Sequence, residues 1–281
     1  MKIQTNKIVS ATLIAALLFL NSCKKEETII DKTSSDTVLD NGTLSNIAGS
    51  NLVTKLQKVL PALISRSKGS FKDNQLIGEM DCATVTIDSS SNPYIAHISF
   101  GPGGCTGSDG VHYSGHITAT FNNEDFANSG DSIQFNFTNF YQDTLIINGV
   151  MTMINTGVNG NGNPTQSLSS NFQTNIISDG LYFNGANNFS MEFIERDSTI
   201  TSDNQVRYTG AGSAITGTGV RVTQTISTPA LMTECSDHFV SGTVLFQSPS
   251  YRDRIMDYGS GTCDSKATIT SGGVTRTIIL Y

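Results

Sequence analysis

The sequence predicts an all-β protein, an antiparallel meander that forms a curled sheet, a sandwich or a partial barrel, with one short N-terminal helix. Beyond residue 80, apolar and polar residues alternate with the two-residue period of a half-buried strand. Turn clusters such as Asp179-Gly180 and Ser271-Gly272-Gly273 separate these segments, and short connections favour antiparallel neighbours. Charged residues make up only 15% of the chain, while glycine, asparagine, serine and threonine abound, as is typical of sheet and turns.

The first 22 residues have the layout of a signal peptide. Lys2 and Lys7 precede an apolar run that extends from Ile8 to Leu20. That run is shorter than the roughly twenty residues that a membrane-spanning helix needs. We therefore expect residues 1–22 to be removed on export rather than retained as a transmembrane helix.

A cysteine follows this segment in a distinctive context. The sequence Leu20-Asn21-Ser22-Cys23 resembles the bacterial lipobox, which implies cleavage before Cys23 and lipidation of its thiol. The alternative is an ordinary secretory signal that happens to contain a cysteine. Several acyl chains attach a protein firmly, because each buried methylene contributes about 0.8 kcal/mol. The expected partner is therefore a membrane, contacted through the N-terminal lipid.

The charged cluster Lys24-Lys25-Glu26-Glu27 resembles the export signal that sends lipoproteins of Bacteroidota to the outer face of the outer membrane. The resemblance implies an outer-membrane protein that faces the cell exterior. Two alternatives stay open: the cluster is a solvated spacer, or the protein faces the periplasm. Residues 23–48 as a whole are polar and lack an apolar period, which predicts a flexible tether.

Residues 49–68 are predicted to form the N-terminal helix. Between Leu52 and Ile64 the apolar residues recur at spacings of three and four, which places them in one stripe of a helix. Pro61 removes a backbone hydrogen bond and is expected to kink it. Because the polar face lacks a dense band of cations, we expect the stripe to pack against the sheet rather than on a membrane or a partner.

Residues 78–281 are predicted to form a single β-rich domain. Around Ile133, Phe135 and Phe137 the odd positions are apolar and the even ones polar, so one face of the sheet is buried and the other is wet. The buried face needs cover from a second layer, and the helix is available for that. The alternating segments are 83–87, 95–100, 116–121, 133–137, 145–154, 189–194, 220–226, 239–246 and 274–280.

Four cysteines lie within this domain. Phe100-Gly101-Pro102-Gly103-Gly104-Cys105 and Tyr258-Gly259-Ser260-Gly261-Thr262-Cys263 share the pattern aromatic-Gly-x-Gly-x-Cys, and Cys82 and Cys235 each precede one of these motifs. Four cysteines in an exported chain favour disulfides and allow three pairings, of which we predict Cys82 with Cys105 and Cys235 with Cys263. A zinc site is the alternative, but the chain lacks the close Cys-x-x-Cys pairs that structural zinc usually takes.

The segments FGPGGCTGSDG (100–110) and DYGSGTCDSKATIT (257–270) resemble motifs of an uncharacterised lipoprotein family of Bacteroidota. The resemblance extends from about Cys82 to Tyr281 and is loose between the two motifs. It implies an extracytoplasmic β-rich domain and carries over no catalytic residue. Where relatives have charged residues after the first motif, this chain has Val111-His112-Tyr113.

No catalytic, cofactor or metal site is predicted. His112 and His116 are four residues apart, too far for one ion if they lie on a strand, and Asp237 and His238 would point to opposite faces. The segment 88–92 lacks the glycine and glutamate of a calcium loop and is interpreted as a hairpin turn. The charged residues from Glu192 to Asp197 are interpreted as a solvated strand end.

Two functions are consistent with the sequence. The net charge of −7 argues against binding of nucleic acid or an anionic lipid surface. The favoured hypothesis is a surface-displayed binding or structural module that presents loops near 155–166 and 202–219 to a glycan or protein. Tryptophan is absent, so tyrosines would have to provide the sugar-stacking surface, namely Tyr141, Tyr182, Tyr208 and Tyr251.

The alternative is an extracytoplasmic hydrolase that acts on a glycan or another surface polymer. This function requires a cleft in which two or three chemically active side chains converge. The candidates are His97, His112, His238, Asp109 and Asp237.

Overall fold

A computed structural model of the chain describes residues 52, 55, 56, 80–88, 90, 92–123, 126–177, 180–194, 205–233 and 238–280. The predicted signal peptide, the lipidation site Cys23, the tether and most of the helical segment lie outside the described residues. Within residues 49–68, Leu52, Lys55 and Leu56 are helical, and their side chains are buried.

Fourteen β-strands make up most of the described chain. In order they are β1 (Thr84–Asp88), β2 (Tyr94–Ser99), β3 (Cys105–Thr106), β4 (His112–Phe121), β5 (Ser132–Gln142), β6 (Leu145–Val158), β7 (Pro164–Ile176), β8 (Leu181–Ile194), β9 (Gln205–Thr216), β10 (Arg221–Thr233), β11 (Ser241–Ser248), β12 (Tyr251–Ser260), β13 (Lys266–Ser271) and β14 (Val274–Ile279).

All fourteen strands belong to one antiparallel sheet. Apart from the short β3, which pairs with β4, each strand pairs with its neighbours in sequence order, from β1 at one edge to β14 at the other. The sheet is curled, and it is not closed in the described chain. The predicted all-β meander is therefore confirmed, and of the three closures considered it is the curled sheet.

Alternation divides the sheet into two faces. On β5 the side chains of Ile133, Phe135 and Phe137 are buried, whereas Gln134 and Thr138 are exposed. We call the face that carries the buried side chains the inner face and the opposite one the outer face. One continuous apolar cluster on the inner face joins residues from β1 to β13 with the helical Leu52 and Leu56, so these two described residues of the predicted helix pack against this face.

Glycines at register shifts allow neighbouring strands to approach closely. A β-carbon added at Gly115, which has a φ of +88°, would overlap the backbone carbonyl of Asn139 on β5. Gly149, with a φ of +132°, has the same relation to the carbonyl of Asn171 on β7. Bulges and glycines at such points are the usual means by which a long sheet curves.

The sequence prediction missed several strands. Strands β3, β7, β9, β12 and β13 were not predicted, and β8 begins at Leu181, well before the expected 189. The loops expected near 155–166 and 202–219 are wrong, because β6 continues to Val158, β7 begins at Pro164, and most of the second segment is β9. The connections that remain are 159–163 and 217–220.

Candidate functional site

The first glycine–cysteine motif forms a corner closed by a disulfide. Cys82 and Cys105 are bonded, with their Cα atoms 5.9 Å apart, which confirms this part of the predicted pairing. Gly101 and Gly104 have φ values of +77° and +75°, in the region that favours glycine. Phe100 packs against Tyr113 and Phe140, with ring centroids 5.6 and 5.5 Å away, and so joins the corner to the core.

The second motif has similar features at the other end of the sheet. Tyr258 is buried against Phe239, and Gly259 and Gly261 have φ values of +90° and +105°. Cys263 is disulfide-bonded. Its predicted partner, Cys235, lies outside the described residues. The two motifs thus share a buried aromatic residue, glycines of positive φ and a bonded cysteine.

A buried lysine ties the helix to the first corner. Lys55 is 7% exposed, and its Nζ donates to Asp109 Oδ2 at 2.6 Å and to the Tyr113 hydroxyl at 2.7 Å. The Tyr113 hydroxyl in turn donates to the same Asp109 oxygen, and the backbone N–H of Val111 donates to Oδ1 at 3.0 Å. Both carboxylate oxygens of Asp109 are therefore engaged in structural contacts.

The protonation of Asp109 follows from these contacts. Burial alone would raise its pKa, but hydrogen bonds from Lys55, Tyr113 and Val111, together with the charge of Lys55, hold the pKa below its ordinary value. Asp109 is thus a stable carboxylate that anchors Lys55. The sequence analysis missed Lys55, because a lysine on a helix ordinarily faces solvent and its partner is far away in the sequence.

The histidines considered for hydrolysis lie in separate settings. His97 is exposed on β2, with its ring centroid 6.4 Å from that of His116 on β4. His112 covers Gly104 at the first corner, and His238 is buried next to Phe239 before β11. Asp237 lies outside the described residues. The described candidates thus lie on β2, at the first corner and before β11, and the hydrolase alternative stays a prediction.

The residues considered for metal binding lie on a strand and at a turn. His112 and His116 lie on a strand, β4, as expected. In the described part of the chain, no group of three or more histidine, cysteine, aspartate or glutamate side chains is arranged to hold a metal ion. Asp88 instead accepts hydrogen bonds from the hydroxyl and the backbone N–H of Ser90, which lower its pKa and close a turn.

The asparagine-rich hairpin between β6 and β7 is fixed to the outer face. Asn159 and Asn163 each donate a side-chain N–H to Glu192 Oε1 at 2.7 Å, and Arg207 donates to Glu192 Oε2 at 2.8 Å. Hydrogen bonds from Asn163 and Asn159 and the charge of Arg207 hold the pKa of Glu192 below its ordinary value. Glu192 therefore organises this hairpin instead of forming a solvated strand end; Glu195, Arg196 and Asp197 lie outside the described residues.

The middle of the outer face is polar and nearly uncharged. Strands β5, β6 and β7 contain no charged residue, and the single acid of β8, Glu192, pairs with the single base of β9, Arg207. The outer side chains of β7 and β8 are mainly amides and hydroxyls. They are Thr165, Ser167, Ser169, Asn171, Gln173 and Asn175 on β7, with Tyr182, Asn184, Ala186, Asn188 and Ser190 on β8.

Tyr182 is an outer-face tyrosine whose hydroxyl is held by two side-chain amides. Its hydroxyl accepts hydrogen bonds from Gln173 Nε2 at 2.7 Å and from Asn184 Nδ2 at 2.8 Å. Of the other tyrosines considered for sugar stacking, Tyr141 and Tyr251 are half-buried. The expectation is wrong for Tyr208, which is buried on the inner face against Phe239, with ring centroids 5.1 Å apart.

Comparison of the chain with protein-family models, with curated proteins and with solved structures finds no significant match. Among the described residues, no helix is both long enough and apolar enough to span a membrane.

Proposed function

We propose that this chain is a lipid-anchored binding module outside the cytoplasm, and that the outer face of β5 to β9 binds an uncharged polar ligand. The anchor is the lipid on Cys23, and the location is the outer membrane, with the module facing the cell exterior. The observation that carries the binding proposal is the near absence of charge from an exposed sheet face that is rich in amides and hydroxyls.

The charge pattern supports an uncharged ligand. Sheet surfaces normally include charged side chains, which aid solubility and oppose association. On these strands the only opposite charges, Glu192 and Arg207, already pair with each other. An ionic ligand would lose hydration there without gaining a counter-charge, whereas a neutral ligand with many hydroxyl groups would exchange hydrogen bonds with amides and hydroxyls.

The binding experiment uses the full lipoprotein extracted from membranes in detergent, tested against immobilised neutral polysaccharides, anionic polysaccharides and proteins. We expect binding to neutral members that persists from about 0.1 M to about 1 M salt, although this change shortens the Debye length from about 10 Å to about 3 Å. Binding confined to ionic members and lost in salt would contradict the proposal, as would the absence of binding to every member.

A matched pair of variants locates the surface. Asn171→Arg places a charge on the exposed outer side of β7, and Thr277→Arg places one on the exposed outer side of β14. We expect Asn171→Arg to weaken binding at least tenfold and Thr277→Arg to leave it unchanged. Equal effects of the two variants would exclude the face formed by β5 to β9.

The anchor is tested separately. We expect the full chain to incorporate a radiolabelled fatty acid and to be cleaved by protease added to intact cells. Cys23→Ser is expected to abolish the label and release the protein from the membrane fraction. An unlabelled wild-type chain that still begins at Met1 would disprove lipidation, whatever the binding experiment shows.

A further inference from the structure

We infer that the binding centre of the outer face is a patch around Tyr182 and that its ligand is a neutral polysaccharide chain. This inference rests on the proposed function and adds to it a site and a ligand class. We call the site the tyrosine–amide patch, and it comprises Tyr141, Ile146, Gln173, Asn175, Tyr182 and Asn184.

Tyr182 is held in a fixed orientation. Its hydroxyl is bonded by the amide groups of Gln173 and Asn184, and one edge of the ring lies against Gly217, where an added β-carbon would be 3.5 Å from a ring carbon. The backbone N–H of Gly217 also donates to the carbonyl of Tyr182 at 2.8 Å. An ordered, half-buried aromatic ring loses little conformational entropy when a ligand packs on it.

The two amides also offer groups for a ligand. Because each uses its N–H group for the Tyr182 hydroxyl, its carbonyl oxygen is oriented as well. Within the described chain, the oxygens of the exposed Gln173 and Asn184 side chains accept no hydrogen bond from another residue. Sugar hydroxyls are donors that suit such oxygens, and the aliphatic C–H face of a pyranose suits an aromatic ring.

The register of the strands extends the patch into a row. Tyr141 on β5 pairs with Ile146 on β6, Ile146 pairs with Asn175 on β7, and Asn175 pairs with Tyr182 on β8. These four residues belong to the outer face, and three strand spacings separate the two tyrosines by about 14 Å. A ligand that contacts both rings must therefore be extended, which favours a chain of several sugar units over a monosaccharide.

The absence of charge from the six residues selects the class of polysaccharide. An acidic glycan is usually recognised through arginine or lysine, which the patch lacks. The mixture of two aromatic rings, one isoleucine and three amides provides apolar contact together with neutral hydrogen bonds. A neutral polysaccharide matches both properties.

The test compares Tyr182→Ala with Tyr251→Ala by affinity electrophoresis of the membrane-extracted full chain through gels that contain neutral or sulfated polysaccharides. Tyr251, also named from the sequence for sugar stacking, is half-buried at the start of β12, outside β5 to β9; because the inference confines binding to the patch, Tyr251 serves as the matched control. We expect Tyr182→Ala to lose at least tenfold in affinity for the neutral polysaccharide, Tyr251→Ala to match wild type, and a paired Gln173→Ala and Asn184→Ala variant to lose several-fold.

Circular dichroism and thermal unfolding establish that each variant is folded. Because Tyr182 faces outward, Tyr182→Phe provides a second folded variant that retains the ring and loses the hydroxyl, and we expect it to bind more weakly than wild type and more tightly than Tyr182→Ala. If wild type binds a neutral polysaccharide and Tyr182→Ala binds it equally well, the patch is disproved while the proposed function stands. If wild type is retarded by sulfated gels alone, both are disproved.

Discussion

Strand β5 and the middle of strand β9 belong to the same sheet but differ in their inner face. The inner side chains of β5 include Ile133, Phe135 and Phe137, all buried in the apolar cluster. On β9, Tyr208 is buried in the same cluster, but the inner positions that follow it, Gly210, Gly212 and Ala214, contribute little apolar area. The comparison shows that one backbone pattern can be stabilised by apolar burial in one region and by polar contacts in another.

The polar contacts of the middle region form a short chain across four strands. In register, Ser170 on β7 faces Asn187 on β8, Asn187 faces Gly212 on β9, and Gly212 faces Gln224 on β10. Asn187 donates to the Ser170 hydroxyl at 3.2 Å and accepts from Gln224 Nε2. Because Gly212 has no side chain, the two amides meet across β9, since a β-carbon there would overlap Asn187.

The difference predicts unequal local stability. Removal of a buried apolar side chain costs more than loss of one hydrogen bond. Substitutions in the region around β5 should therefore destabilise the fold more than substitutions in the polar chain.

Phe135→Ala is expected to have the largest effect. Phe135 is fully buried on β5, so its truncation leaves a cavity and should lower the free energy of unfolding by about 4 kcal/mol. The measurement is urea denaturation followed by circular dichroism. Gln134→Ala, on the exposed side of the same strand, is the control and should change stability by less than about 0.5 kcal/mol. Similar losses for both would contradict the assignment of the faces.

Lys55→Met should have the second largest effect and lower the free energy of unfolding by about 3 kcal/mol. The reason is that it leaves the partly buried carboxylate of Asp109 without its cation. Lys266→Met, at an exposed position on β13, is the control. Adding Asp109→Asn to Lys55→Met should restore part of the loss, since the two residues are coupled. Strict additivity of the two changes would disprove the ion pair.

The contacts of Asp109 with Lys55 and Tyr113 predict that the stability of the fold depends on pH. The pKa of Asp109 is lower in the folded state than in the unfolded chain, where it is about 3.9. Its contribution to stability is therefore present above about pH 4 and is lost as the pH falls through the lower pKa of the folded state. Asp109→Asn should reduce the acid-induced loss of stability relative to wild type, as measured by urea denaturation at a series of pH values below 5.

Removal of the disulfide between Cys82 and Cys105 should lower the free energy of unfolding by as much as Lys55→Met does, or slightly less. Cys82 and Cys105 are 23 residues apart, and closing a loop of this length contributes about 3 kcal/mol on the chain-entropy model. The variant with both Cys82→Ala and Cys105→Ala should lose this amount in a thermal or urea unfolding experiment. An unchanged midpoint would show that the corner is held by Phe100 and Lys55 alone.

Asn187→Ala should lower the free energy of unfolding by about 1–2 kcal/mol, less than the variants above, because it leaves the buried Gln224 and Ser170 without this partner. The control is Asn188→Ala, its neighbour on the exposed outer face, which should be close to neutral. A loss for Asn187→Ala as large as that for Phe135→Ala would overturn the contrast between the two regions.

Sequence reasoning succeeded where side chains alternate between apolar and polar. Strand β5 was predicted from Ile133, Phe135 and Phe137, and the bond between Cys82 and Cys105 from the repeated glycine–cysteine motif with a cysteine before it. Strand β9 was missed because Gly210, Gly212 and Ala214 follow Tyr208 on its inner face, which interrupts the apolar period. Pairing with β8 and β10 along its whole length makes it a strand all the same.

The candidate site was only partly accessible from the sequence. Tyr182 was named as a residue for sugar stacking, but so was Tyr208, and only the strand assignment distinguishes an outer from an inner position. The bonds from Gln173 and Asn184 to Tyr182, and those from the asparagine hairpin to Glu192, depend on the register between β6, β7 and β8. Register is a property of pairing and cannot be obtained from one strand.

Hydroxyl-radical footprinting of the full lipoprotein, with and without a neutral polysaccharide, would show where on the sheet the ligand binds. The modified positions are identified by mass spectrometry. We expect the ligand to protect Tyr182 and Tyr141 on the outer face and to leave the oxidation of Tyr251 unchanged. Protection of Tyr251 without protection of Tyr182, or an unchanged pattern at saturating ligand, would contradict this expectation.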